Sequence, residues 1–242
     1  SEFLLLYFAS LLTGIIVVPI NPDLSPLEIQ YIVENSKSKQ IYYKIDLNDK
    51  INIVVNQLKD KIVSVPVKPI IQFDTNQFGD KELDLSTISK IKKHNKAVII
   101  YTSGTTGNPK GVLLSQLNII SDAYSISNWF EFSSKTRTLC ILPLYHNNGQ
   151  ITTLIAPLYQ GGSTVIVKGE SSILAFWDIV QKYNVTWSSV MASILSILLS
   201  LKIERKDNTL KAILCGGQVL TSSIQSKFEK RFNVSIYEGY GL

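Results

Sequence analysis

The chain has 242 residues, 45% hydrophobic and 18% charged, enough apolar content to bury a core, which excludes disorder as its main character. A formal charge of +5 and a pI near 9.0 suit ligands that carry phosphates. They do not suggest nucleic acid, because the lysines are scattered among Asp and Glu without a basic stripe or interleaved aromatics.

In chain order, Phe3 to Ile20 is an uncharged, mostly apolar run close to the length that spans a bilayer. Gly14 and Pro19 punctuate it, and Ile15-Ile16-Val17-Val18 is β-branched like a buried parallel strand. A buried helix from Glu2 to Leu12 and then a core strand are predicted; membrane association is not favoured. No positively charged n-region and no initiator Met support a signal peptide. Cys140 and Cys215, the two cysteines, lie in apolar strand-like runs and cannot build a disulfide framework. They fit a reducing compartment, and a cytoplasmic location is expected.

Pro22 to Pro26 reads as a turn, and Ser25 with Glu28 forms a capping box for a helix ending near Ser36. Ile41 to Ile45 is a predicted strand. Residues 46 to 96 are polar and peripheral, with one or two short helices, strands at Ile62 to Val65 and Ile70 to Phe73, and the solvated run Lys90-Ile91-Lys92-Lys93. From Ala97 the alternation is regular. Strands are predicted at Ala97 to Thr102, Val112 to Leu114, Thr138 to Leu142, Ser163 to Val167, Thr186 to Val190, Leu210 to Cys215 and Ser235 to Glu238. Helices fall at about 116 to 130, 148 to 159, 171 to 183, 192 to 201 and 221 to 231. This is the pattern of an α/β fold with layered, largely parallel sheets flanked by helices. Residues 1–96 are expected to form an incomplete first α/β subdomain and residues 97–242 an α/β subdomain with a phosphate-binding loop.

That loop is Tyr101-Thr102-Ser103-Gly104-Thr105-Thr106-Gly107-Asn108-Pro109-Lys110-Gly111, directly after an apolar strand. Glycines let the backbone turn sharply and bring amide N–H groups to an anion, the hydroxyls add donors, and Lys110 supplies a mobile positive charge. A triphosphate is the natural guest. Gly104 and Lys110 stand at Walker A spacing, but Pro109 replaces the second required glycine, and Gly111 replaces the Ser or Thr that would hold magnesium. A P-loop hydrolase is therefore disfavoured.

The segment Tyr101 to Gly111 resembles the signature loop of the adenylate-forming (AMP-binding) superfamily, most like acyl-CoA synthetases. Three other stretches agree in order and spacing, as does the opening from Phe3 to Ile32. Leu142-Pro143-Leu144-Tyr145-His146 with Gly149 resembles the motif that lines the acyl pocket. Cys215-Gly216-Gly217-Gln218 resembles the turn against adenine and acyl group, and Glu238-Gly239-Tyr240-Gly241-Leu242 the start of the motif whose tyrosine packs on the nucleotide.

The resemblance implies ATP-dependent activation of a carboxylic acid as acyl-AMP, then transfer to a thiol, with coenzyme A the expected acceptor and Mg2+ accompanying ATP. Thr102, Ser103, Gly104, Thr105, Thr106, Gly107 and Lys110 would hold the phosphates. Gly216, Gly217, Gln218, Glu238, Gly239, Tyr240 and Gly241 would adjoin the adenylate. Tyr145, His146, Gly149 and Met191 would form the acyl pocket, with Lys110 and His146 as the catalytic candidates. No metal ligand is assigned within the chain, and the oligomeric state is not indicated.

Gln116 departs from the family's usual His, Gln218-Val219 from a small residue and Pro, and Ala192 from a frequent Pro. Asn147 and Asn148 add polarity beside His146. The resemblance calls for a Thr and a magnesium-coordinating Glu after Leu242, then a ribose-binding Asp, a hinge and a C-terminal domain with a catalytic lysine. These 242 residues are accordingly expected to be part of a longer synthetase and inactive alone. A non-catalytic nucleotide- or acyl-binding module of the same fold is the alternative. Peptide-synthetase adenylation is disfavoured, because Tyr145-His146 stands where an amine-holding Asp is not evident.

Overall fold

The computed structural model describes residues 2–59, 62–68, 88, 90–102, 107–167, 171–205 and 209–240. Packing divides the chain into two compact units, Ser1–Asn118 and Ile119–Leu242. The predicted strand at Ile70 to Phe73 lies outside the described residues.

The first unit opens with α1 (Glu2–Thr13) and α2 (Pro26–Ser36). The capping box at α2 is formed: Ser25 Oγ accepts from Glu28 N at 3.4 Å, and Ser25 N donates to the Glu28 carboxylate at 2.8 Å. The Ser25 hydroxyl, which also donates to the Glu28 carboxylate at 2.7 Å, and then the Ser25 amide favour the ionised acid and hold the Glu28 carboxyl below its ordinary range. Next come β1 (Gln40–Lys44), α3 (Asn48–Gln57) and β2 (Val63–Val67), with β1 and β2 paired in parallel. Ile29, Val33, Ile41, Ile51 and Val54 form the small core beneath them. The unit ends on an antiparallel ribbon of β3 (Lys96–Thr102) and β4 (Lys110–Ser115).

The apolar opening differs from expectation in two ways. Tyr7 is the buried residue of α1, whereas Leu5 and Leu12 are exposed. After Gly14 the β-branched run forms only one parallel bridge, Val17 to Val98, while Ile15 and Ile16 are exposed. Val17 N donates to Ala97 O at 2.9 Å, and Ile99 N donates to Val17 O at 2.8 Å. The next ladder bond in that register would need an N–H on residue 19, and Pro19 has none. Among the described residues, no helix is long and apolar enough to cross a membrane.

The second unit holds a five-stranded sheet in the order β6-β5-β7-β8-β9, every neighbouring pair parallel. Its strands are β5 (Arg137–Cys140), β6 (Ser163–Ile166), β7 (Trp187–Val190), β8 (Ala212–Gly216) and β9 (Ser235–Gly239). Helix α4 (Gln116–Trp129) leads in from the first unit. A π-helix (Asn148–Ile155) running into α5 (Ala156–Tyr159) joins β5 to β6. The predicted helix at 171–183 is broken at Ala175 into α6 (Ser171–Leu174) and α7 (Phe176–Tyr183); α8 (Ala192–Ser200) and α9 (Ser222–Phe232) follow. Leu139, Phe176, Val180, Leu195, Ile213, Phe228 and their neighbours make one apolar core. Burying such side chains contributes roughly 1.5–3 kcal/mol each.

Where the π-helix meets α5, a proline redirects the hydrogen bonding. Pro157 lacks the N–H that Thr153 O would receive in an α-helix. That carbonyl instead accepts from Thr138 Oγ1 at 2.6 Å and Thr164 Oγ1 at 2.8 Å, stitching the helix to β5 and β6. Just beyond, Gly162 is packed so closely that a Cβ would stand 2.6 Å from Thr136 O. Gly162→Ala should therefore destabilise the protein by about 1–3 kcal/mol, read from urea unfolding. Unchanged stability would show that this turn yields without cost.

Candidate functional site

In the first unit the β3–β4 ribbon defines the roots of the phosphate-loop candidate. Thr102 and Lys110 are paired across it, and Tyr101 faces Gly111. Thr102 Oγ1 approaches Lys110 O at 3.5 Å, at the limit of a hydrogen bond, and both residues are exposed. Gly107 has φ +141°, with open space where a side chain would be; such a φ suits glycine. Ser103, Gly104, Thr105 and Thr106 lie outside the described residues. Gln116 donates from Nε2 to Leu11 O at 3.0 Å and so ties the start of α4 to α1.

In the second unit the parallel sheet carries the other candidates to its C-terminal edge. Gly216 and Gly239 end β8 and β9 opposite each other, and a Cβ on Gly216 would stand 3.1 Å from Gly239 O. Gly217 has φ +79° and nothing within 4 Å of its missing side chain. Gln218 Oε1 accepts from Ser193 N at 3.3 Å in the first turn of α8. Glu238 Oε1 accepts from Leu220 N at 3.2 Å, which closes the Gly216–Leu220 turn onto β9. Tyr240 is 94% exposed, and Gly241 lies outside the described residues.

The segment after β5 is held by its own backbone. His146 N donates to Pro143 O at 3.1 Å, and His146 O accepts from Gln150 N at 3.2 Å. Gly149 is buried, and a Cβ there would stand 2.5 Å from Pro143 O. The Tyr145 and His146 rings lie 4.7 Å apart. Met191, half-buried, follows β7 and packs against the core. Asn148 was noted in the sequence for its polarity but not chosen as a site residue. Its Nδ2 lies 3.8 Å from the position of a Gly216 Cβ, and its Oδ1 is buried without a partner among the described residues. Ser193 N and Leu220 N were missed as well, because a backbone amide leaves no mark in a sequence.

The titratable groups here favour neutral forms. Desolvation lowers the His146 pKa below its ordinary value although part of the ring reaches solvent. Burial, then the Glu238 charge, pushes the Cys215 thiol up to about 11; Cys140 is likewise raised by burial. Both cysteines are free and buried and remain thiols near neutral pH. Among the described residues, no three His, Cys, Asp or Glu side chains gather as a metal site.

The AMP-binding enzyme family model matches residues 1–242. The chain belongs to the AMP-binding enzyme family. It is 30% identical over 240 residues to sulfoacetate–CoA ligase of Cupriavidus necator, covering 98% of this chain and 46% of that one. It is 25% identical over 247 residues to oxalate–CoA ligase of Arabidopsis thaliana, covering 100% and 48%. The chain thus spans about half the length of the curated relatives it matches. Among solved structures, ATP-bound MatB from Rhodopseudomonas palustris superposes with a TM-score of 0.82 at 20% identity, covering 100% of this chain and 47% of that one. The N-terminal domain of FACL13 from Mycobacterium tuberculosis gives 0.86 at 21% identity, covering 100% and 60%. These structures share the layered α/β fold read from the sequence.

The histidine supplies a pH test for this AMP-binding unit. A lowered folded-state pKa means that the unfolded state binds its proton first, so stability is full above the unfolded value near 6.5 and falls as pH drops through it toward the folded value. Denaturant melts from pH 7.5 to 5 should show this decline, and His146→Gln should flatten it. An identical decline in the variant would place its origin elsewhere.

Proposed function

We propose that this chain carries the ATP- and acid-handling part of an AMP-forming acid–CoA ligase. The observation that carries the reading is the juxtaposition of Thr102 and Lys110 at the roots of a Gly- and hydroxyl-rich loop in a chain of this family.

In the proposed reaction an acid's carboxylate oxygen attacks the α-phosphorus of ATP, a P–O bond forms, and the bond to pyrophosphate breaks. The coenzyme A thiolate then attacks the acyl carbon and AMP leaves. Both steps concentrate negative charge, so positioned cations and amides are the main contribution expected of the protein. Lys110 neutralises charge on the departing pyrophosphate, with Thr102, Ser103, Gly104, Thr105, Thr106 and Gly107 around the phosphates. Magnesium enters with the triphosphate, which is its usual way into such sites. The Gly216–Gln218 turn and Glu238–Gly241 adjoin the adenylate. Neutral His146, with Tyr145, Gly149 and Met191, orients the acid. A cytoplasmic location belongs to the same reading.

The acid is proposed to be short and polar. Sulfoacetate and oxalate, named for the two relatives, each carry a second acidic group. The carboxamides of Asn148 and Gln218 beside Gly216 support the same class here. Little turnover is expected from these 242 residues alone, since the curated relatives are about twice the length matched.

Calorimetry with MgATP tests the reading. Wild type should bind, and Lys110→Ala should weaken binding about 10- to 100-fold, the usual range for losing a charged hydrogen bond. A folded wild-type chain that ignores MgATP would favour a non-catalytic role. Vigorous pyrophosphate exchange by the 242 residues would overturn the expectation of low turnover.

A further inference from the structure

Three contacts converge at the root of the phosphate-loop strand, and the chemistry assigned above uses none of them. Tyr101 is half-buried on β3, and its phenol donates to Asn35 Oδ1 at 2.6 Å, near the C-terminal end of α2; Ile32 O lies 3.4 Å from the same oxygen. The ring crosses to β4, where a Cβ on Gly111 would stand 3.0 Å from Tyr101 Cζ and 2.9 Å from Ile99 Cγ2. A side chain at Gly111 would meet Ile99 and the ring, and the register sets Tyr101 opposite the residue after Lys110. Burial, and the neighbouring Tyr31, raise the phenol's pKa, so it remains a donor across the physiological range.

We propose that Tyr101 and Asn35 are positioning residues for Lys110: the phenol–carboxamide bond clamps the β3–β4 ribbon to α2 and fixes the strand from which the lysine reaches the ATP phosphates. The clamp acts through Lys110 and touches no ligand. A two-stranded ribbon is marginally stable by itself. One bond to a helix at the loop end of the ribbon removes freedom that would otherwise be lost when a triphosphate is gripped. This inference rests on the phosphate-binding role of Lys110 given above.

Calorimetry of MgATP binding to the whole chain separates the two ideas. Tyr101→Phe keeps the ring over Gly111 and removes only the O–H. It should weaken MgATP about fivefold, the size of one ordinary hydrogen bond. Asn35→Ala should do the same, and the pair together should lose no more than either alone. In a Lys110→Ala background, Tyr101→Phe should change nothing, an outcome that a general loosening of the unit would not produce. Thermal melts of each variant identify any that have lost the fold. Wild-type affinity in Tyr101→Phe, or the same fivefold loss without Lys110, would overturn the clamp while leaving the ATP reading intact. Absence of MgATP binding in wild type would overturn both.

Discussion

Parallel pairing governs the second unit. When every strand of a sheet runs the same way, every C-terminal end meets one edge, and segments far apart in sequence are brought there together. Pro143 to His146, Met191, Gly216 to Gln218 and Gly239 to Tyr240 all follow strands of one such sheet. Open α/β sheets bind ligands at that edge. The edge is also tightly packed: a Cβ on Gly216 would stand 3.1 Å from Gly239 O, and one on Gly239 would stand 3.2 Å from Leu214 Cδ1. Polar side chains at the edge are engaged in holding it together. Glu238 takes the Leu220 amide and Gln218 takes the Ser193 amide, so each is tied to a neighbouring segment.

Prolines set the limits of this architecture as firmly as the apolar runs do. Pro19 stops a ladder after one bridge, which leaves Ile15 and Ile16 outside the sheet despite their strand-forming side chains. Pro157 has the opposite consequence. The carbonyl it cannot serve becomes the acceptor for two threonines, and a helix is joined to two strands by the bond that helix lacks. In both cases a missing N–H decides where hydrogen bonds go, and burying a polar group without one costs about 1–3 kcal/mol.

Much of the fold was legible because its strands are short apolar runs between polar turns. From Lys96 onward each strand lies within about two residues of its predicted place, the usual uncertainty of element ends. Helical periodicity did not distinguish the π-turn at Asn148–Ile155 from an α-helix, nor reveal the break at Ala175. The candidate site rests on motifs, and its contacts were not legible in the sequence. Glycines, hydroxyls and a lysine in one loop are the chemistry from which anion binding was expected. The partners of Gln218, Glu238 and Tyr101 are two backbone amides and one exposed Asn, which no local pattern selects. Ser25 and Glu28 were found because capping is a rule of neighbours.

Glycine in these motifs performs two tasks that a sequence does not separate. Gly149 faces a carbonyl at a distance no side chain could share, and Gly111 and Gly216 face a ring and a carbonyl closely enough that a Cβ would force them to shift. Their role is close packing, and any substitution there acts on the framework first. Gly107 and Gly217 are different: each has a left-handed φ and open space on the side where a Cβ would project. A backbone bent this way is strained for any residue with a Cβ, so glycine is needed there for conformation and not for close packing. The two open glycines, one in each unit, lie beside the segments read as phosphate-binding and adenylate-binding. The packed glycines hold the flanking strands and turns in shape.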